Sequence, residues 1–236
     1  MVRAGLVSCL ILMGAPAAWA DAPRAVVELF TSLGCSSCPP ADAFAGRLRS
    51  DAAVLVLSFH VDYWDDQKWK DPFSSTDATS RQHAYARAQH SASVFTPQII
   101  VNGVRSFVGS SEAQVLSAIG QAESSVLPIH AEITRQPDDS LKLMLTGPEL
   151  SGDVWAIRYV RSAVTAIRAG ENSGRTLQTF NNVTRIERLG SYKSGTWLLR
   201  ALAHPDDGIA VIVQPKGLGR TAAAVSYEAP ADPGKS

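Results

Sequence analysis

Two cysteines separated by two residues are the clearest candidates for chemistry in this sequence. Cys35 and Cys38 stand in the run GCSSCPP, after an apolar stretch and before a helical pattern. A thiol at a helix N-terminus is stabilised as the thiolate by free N–H groups and by the helix dipole. We therefore expect Cys35, the outer residue, to attack or be attacked, and Cys38 to resolve the mixed disulfide.

The short spacing of this pair argues against a purely structural bridge. A disulfide stabilises a fold largely by closing a loop, and a bridge across two residues closes very little. Two prolines follow Cys38, and proline is tolerated only in the first turn of a helix. We therefore predict that Ser36 or Ser37 caps the helix and that Cys35 lies just outside it.

Residues 1–20 have the pattern of a signal peptide. Arg3 provides a charged start, an apolar core follows, and Ala18-Trp19-Ala20 is a small-x-small cleavage site. A cut at Cys9, as in a lipoprotein, would leave a strongly apolar run exposed, so cleavage after Ala20 is predicted. The mature protein then reaches the periplasm or the exterior, where disulfides can form.

Charge and hydropathy exclude several classes of partner. Lys and Arg number 22, as do Asp and Glu, for a net charge of +0. This balance argues against binding of nucleic acid or an anionic membrane surface. No mature segment has the length of a membrane span, which needs about twenty apolar residues.

Hydrophobic periodicity predicts an α/β first domain over residues 21–126. The strand, helix and strand at 24–30, 41–48 and 54–61 form a βαβ unit, so the two strands should be parallel neighbours. A helix inserted at 76–90 is followed by Thr96-Pro97 and by a hairpin that turns at Asn102-Gly103. A closing helix starts near Ser111.

Residues 127–236 have a different pattern and are predicted to form an antiparallel β-rich domain. Alternating apolar runs are separated there by Pro, Gly, Asp and Asn. The runs are at 129–134, 141–145, 154–161, 196–201, 208–213 and 222–228. The polar stretch 170–190 is expected to be a long excursion between strands.

The order of elements over residues 24–125 resembles the thioredoxin superfamily. That resemblance implies that Pro97, after Thr96, is a cis proline facing the two cysteines. With one residue inserted, Glu28 matches the buried acid that assists proton transfer at the resolving cysteine. The alternative for Glu28 is a partly solvated glutamate at a strand end.

Four residues at the end of the second strand are candidates for a substrate groove. His60, Asp62, Tyr63 and Trp64 should lie at the sheet edge that holds Cys35, where ligands of parallel sheets collect. The alternative is that they only cover this edge.

Four motifs resemble the secreted family catalogued as domain of unknown function 1223. They are ELFTSLGCSSCPPAD, FHVDYWD, FTPQIIVNG and GEN-x-GR-x-L. The resemblance implies a thioredoxin-like fold with a β-rich C-terminal extension, in proteins exported by Gram-negative bacteria. It marks the two cysteines and Thr96-Pro97 as the site, with Glu28 and residues 62–64 beside them. Gly34 stands where familiar oxidoreductases have Trp, so the direction of electron flow is open.

These features predict a thiol–disulfide oxidoreductase without a metal or other cofactor. Its partners would be thiols or disulfides of proteins or small molecules, together with a redox partner that the sequence does not identify. One alternative is a copper carrier in which His60 joins Cys35 and Cys38, since thiolates favour Cu(I). Another is a redox-idle binding or assembly module whose partner binds the β domain.

Overall fold

The computed structural model describes residues 23–123, 127–204 and 207–229. The predicted signal peptide lies outside these residues. The helices are α1 (Pro39–Leu48), α2 (Thr76–Ala88) and α3 (Glu112–Glu123). The strands are β1 (Ala25–Thr31), β2 (Val54–His60), β3 (Gln98–Val101), β4 (Arg105–Val108), β5 (His130–Arg135), β6 (Leu141–Thr146), β7 (Gly152–Ala166), β8 (Thr176–Ser191), β9 (Gly195–Leu199), β10 (Asp207–Pro215) and β11 (Ala223–Glu228). Within the described part, no helix is long and apolar enough to cross a membrane.

The protein is a mixed α/β structure built on one large mixed sheet. Eight strands lie in the order β11-β10-β7-β8-β2-β1-β3-β4, and β5-β6-β9 form a smaller antiparallel sheet. The predicted parallel pairing of the first two strands is confirmed, with Ala25 opposite Val54 and Thr31 opposite His60. Every residue of β1 and β2 is buried, which explains their continuous apolar sequence.

Strands from both halves of the chain belong to the large sheet. β8 runs parallel to β2 and pairs with it through Ser58 and Asn182. The predicted excursion at 170–190 was therefore wrong for most of its length, because residues 176–191 form β8. Two of its buried polar side chains have partners in β2: Asn181 donates to the carbonyl of Val56 at 2.8 Å, and Oδ1 of Asn182 lies 3.0 Å from Nε2 of His60. A domain boundary between residues 126 and 127 stays a prediction.

Three apolar clusters hold these layers together. The first packs β1 and β2 against α1 and α3, and includes Leu29, Phe44 and Ile119. The second lies on the opposite face, where Phe30, Phe59 and Tyr85 of α2 meet β7, β8 and β10. The third lies between the large sheet and the small sheet, with Leu143 and Val211 at its centre. The central strands are thus fixed from both sides.

The predicted hairpin between β3 and β4 does turn at Asn102-Gly103, but its loop has three residues and not two, because Val101 pairs with Arg105 and β4 begins at Arg105. Asn102 and Gly103 both have positive φ, 46° and 71°, as a type I′ turn requires. The side chain of Asn102 also accepts a hydrogen bond from the amide of Val26 at 2.6 Å, which ties the turn to β1.

Candidate active site

Cys35 and Cys38 form a disulfide between the end of β1 and the start of α1. Cys38 is the N-cap of α1 and Pro39 is the first helical residue. The prediction that Ser36 or Ser37 is the cap was wrong, because prolines occupy the first two helical positions without losing a needed hydrogen bond. Both cysteines are fully buried, whereas the two serines between them are exposed.

The side chains of Ser37 and Glu171 form polar contacts with Cys35 and with its neighbour Ser36. The Ser37 hydroxyl lies 3.3 Å from Sγ of Cys35. The amide of Ser36 donates to the carboxylate of Glu171 at 2.9 Å. Pro39 and Pro40 have no N–H, so the first turn of α1 offers fewer amide donors to a thiolate than most helices do.

The Thr96-Pro97 peptide bond is cis, and Trp64 connects it to the cysteine loop. The indole Nε1 of Trp64 donates to Oγ1 of Thr96 at 2.8 Å. On its other side Trp64 packs so closely on Gly34 that a Cβ there would lie 3.3 Å from the Trp64 Cβ. A large side chain before the first cysteine would therefore displace Trp64, which accounts for the glycine at this position.

A buried carboxyl group lies one helical turn beyond Cys38. Asp42 follows Cys38 by four residues, so the two share a helix face, and the Asp42 amide donates to the Cys38 carbonyl at 3.1 Å. Its Oδ1 accepts a hydrogen bond from the Thr31 hydroxyl at 2.8 Å. Burial raises the pKa of Asp42 from 3.8 to about 6, although His60 and Thr31 lower it.

His60 lies beside this carboxyl group, at the end of β2. Its Nδ1 is 2.8 Å from Oδ2 of Asp71, and its Nε2 is 3.0 Å from Oδ1 of Asn182. Burial is the largest single influence and lowers the pKa of His60, but the charge and hydrogen bond of Asp71, together with Asp42 and Asn182, raise it by more in sum, so the net direction is upward. Both ring nitrogens are engaged, so neither is available as a copper ligand beside the cysteines.

Asp71 connects this histidine to the cysteine loop. Its Oδ2 also accepts a hydrogen bond from the amide of Leu33, two residues before Cys35, at 2.8 Å. Burial raises the pKa of Asp71, but the His60 charge and hydrogen bond lower it more, so the group stays ionised. The His60–Asp71 pair thereby fixes the chain that leads into the disulfide.

Glu28 lies elsewhere, in the middle of β1 and on the opposite face from α1. Its carboxylate binds Arg81 through two hydrogen bonds, of 2.5 and 2.9 Å, and also accepts from the Tyr85 hydroxyl. Arg81 in turn donates to Gln214 at 2.8 Å. Among the described residues, the hydrogen-bond partners of Glu28 are this arginine and tyrosine. The structure thus does not bring Glu28 together with the cysteines through its contacts.

The other groove candidates have separate positions. Asp62 accepts hydrogen bonds from the hydroxyls of Thr76 and Thr79, at 2.8 and 2.6 Å, and so anchors the start of α2. These bonds, that of Thr79 first, lower the pKa of Asp62. Tyr63 is 44% exposed and its hydroxyl donates to Gln82 at 3.2 Å. Of the four, Trp64 and His60 contact the surroundings of the cysteines.

The loop between β7 and β8 reaches the cysteines from the second half of the chain. Asn172 is fully buried, and its Nδ2 donates to the carbonyls of Leu33 and Cys35 at 2.9 and 2.8 Å. Its Oδ1 accepts a hydrogen bond from Arg175 at 2.7 Å. The second half therefore packs on the edge of the sheet that holds the disulfide.

Comparisons with known proteins identify the family of this chain and a similar solved structure. The model of the family described as Protein of unknown function (DUF1223) matches residues 26–214. This chain belongs to the DUF1223 family. A crystal structure of an Agrobacterium tumefaciens protein is similar, with 25% identity and a TM-score of 0.78, over 90% of this chain and 97% of that one. No curated protein matches the chain significantly.

Sequence reasoning missed four residues of this DUF1223 site. The signal for Asp42 is its spacing from Cys38, which places a carboxyl group on the cysteine's own helix face. Glu171 and Asn172 lie inside the family motif GEN-x-GR, although that motif alone does not say where its loop packs. Asp71 lies in a polar loop and carries no local signal.

Proposed function

We propose that this protein is an exported thiol–disulfide oxidoreductase whose first half has a thioredoxin-like fold. One observation carries the proposal. The Cys35–Cys38 disulfide ends at the N-cap of α1, the Asp42 carboxyl lies four residues further along that helix, and Trp64 connects the cysteine loop to Thr96. Structural staples need none of these neighbours, whereas disulfide exchange uses an activated thiol and a nearby proton acceptor.

The proposed reaction transfers two electrons between this dithiol and a partner disulfide. Cys35 loses its proton to water, its thiolate attacks one partner sulfur, the partner S–S bond breaks, and the expelled partner thiolate takes up a proton from water. Cys38 then gives its proton to the Asp42 carboxylate and attacks Sγ of Cys35. The mixed disulfide breaks, the second partner thiol leaves with that proton, and the Cys35–Cys38 disulfide remains. The reverse sequence reduces the pair.

A carboxyl group with a pKa of about 6 suits this proton transfer. Near neutral pH it is mostly ionised and can accept the Cys38 proton, yet it is basic enough to hold that proton until the leaving thiolate needs it. Asp42 would be the acid–base group of the proposed reaction, in the role that the sequence assigned to Glu28.

Exposed aromatic rings beside the cis proline support a polypeptide partner. Tyr63 is 44% exposed and Phe95 is 38% exposed, next in sequence to Trp64 and Thr96 respectively. The rings of Tyr and Phe contribute much of the contact energy at protein interfaces. An extended segment of a substrate protein, carrying the disulfide, would lie across these rings.

The burial of both cysteines favours one rival, the redox-idle binding module. An idle bridge is expected to resist reduction by the glutathione pool, with a potential below about −300 mV. An active pair must become accessible and must exchange readily with glutathione.

The test is to trap a mixed disulfide on Cys35. The Cys38→Ser protein, reduced and mixed with a periplasmic extract, should form Cys35-linked adducts that vanish on reduction and that Cys35→Ser lacks. Absence of adducts, together with a wild-type bridge that does not equilibrate with glutathione, would establish the idle module instead.

A mature N-terminus at Asp21 would verify export, and a retained leader would refute it.

A further inference from the structure

The motif GEN-x-GR, residues 170–175, forms the turn between β7 and β8, here called the 170–175 tip. Gly170 and Gly174 both have a φ of 81°, which glycine adopts without strain. The amide of Gly174 donates to the Ile167 carbonyl at 2.9 Å and closes the turn. The tip is therefore a defined structure that can hold side chains against the cysteine loop.

Asn172 holds the main chain on both sides of Gly34. Its single amide nitrogen donates to the carbonyls of Leu33 and Cys35, and Arg175 fixes the orientation of its amide group. The contact joins residues 137 positions apart in the chain. A buried side chain with three hydrogen bonds leaves the Cys35 main chain little freedom to shift.

Glu171 places a negative charge next to Cys35. Its carboxylate is exposed and accepts the hydrogen bond of the Ser36 amide, the residue after Cys35. The backbone hydrogen bond from Ser36 lowers the pKa of Glu171, so the group is ionised at neutral pH. Arg175, the cation of the tip, donates a hydrogen bond to Oδ1 of Asn172 at 2.7 Å.

Two consequences follow from this placement. The Ser36 amide is taken by Glu171, so it is less available to a Cys35 thiolate, and the adjacent charge opposes that thiolate. The same charge repels an anionic partner that approaches Cys35 and attracts a cationic one. Because the carboxylate is exposed, salt should weaken both this repulsion of anionic partners and this attraction of cationic ones.

We propose that the 170–175 tip is part of the redox site: Asn172 is a positioning residue for Cys35, and Glu171 selects against anionic thiols and disulfides. The preferred partners are then disulfides flanked by neutral or basic groups. This inference rests on the proposed exchange activity.

Two small disulfides of opposite charge test the selectivity. Reduced protein would be mixed either with glutathione disulfide, which is anionic, or with cystamine, which is cationic. The rate at which the protein loses its free thiols would be measured by alkylation and mass spectrometry. In each case two electrons pass to the disulfide and two small thiols are released. The ratio of the cystamine rate to the glutathione rate should fall about fivefold in Glu171→Gln, the size of one charge contact in water.

Matched variants separate charge from structure. Gln keeps an oxygen that accepts from Ser36, so Glu171→Gln preserves the geometry of the tip. Glu149→Gln removes an exposed charge in the loop before β7 and should leave the ratio at the wild-type value. In about 1 M salt the wild-type ratio should approach that of Glu171→Gln. Asn172→Ala should slow both disulfides by similar factors and leave the ratio unchanged.

The outcomes distinguish this inference from the function on which it rests. A wild-type protein that exchanges with neither disulfide refutes the proposed function. The role of Glu171 is overturned if the wild type exchanges normally but its ratio of cystamine rate to glutathione rate equals that of Glu171→Gln. It is also overturned if this ratio does not change with salt concentration. Asn172→Ala rates equal to wild type overturn the positioning role.

Discussion

Two buried polar clusters lie on the same parallel strands, β1 and β2, and they differ in how their charges are balanced. The Glu28 cluster lies in the middle of the sheet and consists of Glu28, Arg81, Tyr85 and Gln214. The cysteine-side cluster lies at the carboxyl ends of the strands and consists of Thr31, Asp42, His60, Asp71 and Asn182. In the first, a guanidinium binds a carboxylate at two points. In the second, two carboxyl groups share one imidazole.

The difference shows that burial of an ionisable group does not by itself indicate chemistry. The Glu28 carboxylate accepts two hydrogen bonds from the guanidinium of Arg81, a cation that stays protonated in proteins. Asp42 has a neutral hydroxyl as its hydrogen-bond partner, and its pKa rises to about 6. A group that titrates near neutral pH, beside a cysteine, can move a proton, whereas a fixed ion pair can only hold the fold.

The largest expected effect is on the Glu28 cluster. Arg81→Met leaves the Glu28 carboxylate buried without its cation, and should lower the free energy of unfolding by about 3–5 kcal/mol. Urea unfolding of the oxidised protein at pH 7 measures this loss. Arg87→Met, on the exposed face of the same helix, is the control and should change stability by about 0.5 kcal/mol or less. Equal losses in the two variants would mean that Glu28 does not depend on Arg81.

The second prediction concerns the pH dependence of stability. The folded pKa of Asp42, about 6, exceeds the ordinary value of 3.8, so the folded protein binds more protons between these pH values. The contribution of Asp42 to stability therefore falls as pH rises from about 4 to 6. Asp42→Asn removes this loss and should be more stable than wild type by about 3 kcal/mol at pH 7, but not at pH 4.

Glu28→Gln sharpens the contrast between the two clusters, because at pH 7 it is expected to lower stability where Asp42→Asn raises it. It leaves the buried charge of Arg81 unbalanced and should be less stable than wild type at pH 7. Urea midpoints of the three proteins between pH 4 and 8 would show the two trends. If Asp42→Asn is destabilised at pH 7 like Glu28→Gln, then both clusters serve only the fold.

Local patterns were enough to predict the parts of the site that lie close together in sequence. The cysteine pair follows a strand, and the Asn102-Gly103 turn has its expected positive φ values. The cis Thr96-Pro97 bond was implied by the resemblance to thioredoxins and not by a local pattern. The parallel pairing of β1 and β2 followed from a single short crossover.

Contacts between distant residues were beyond local patterns. The resemblance to thioredoxins placed Glu28 near the cysteines, and its sequence neighbours do not reveal its cation, Arg81, which lies 53 residues away in the inserted helix. The polar sequence of β8 predicted a loop, because the partners of its asparagines, Val56 and His60, lie in β2 and are distant in sequence. In the same way, nothing near Asn172 in sequence shows that it binds the Cys35 carbonyl.

The last prediction decides which cluster takes part in the reaction. A mixed disulfide between Cys35 and a small thiol would first be formed at low pH. The pH would then be raised to 7, and the rate at which Cys38 releases the small thiol would be measured. Asp42→Asn should slow this release about a hundredfold, since general acid–base assistance contributes at least that much. As the final pH is raised, the two rates should approach each other, because hydroxide can then remove the Cys38 proton directly. Glu28→Gln, measured under folded conditions, should match wild type. If it is the slow variant and Asp42→Asn is not, the proton acceptor is Glu28 and not Asp42.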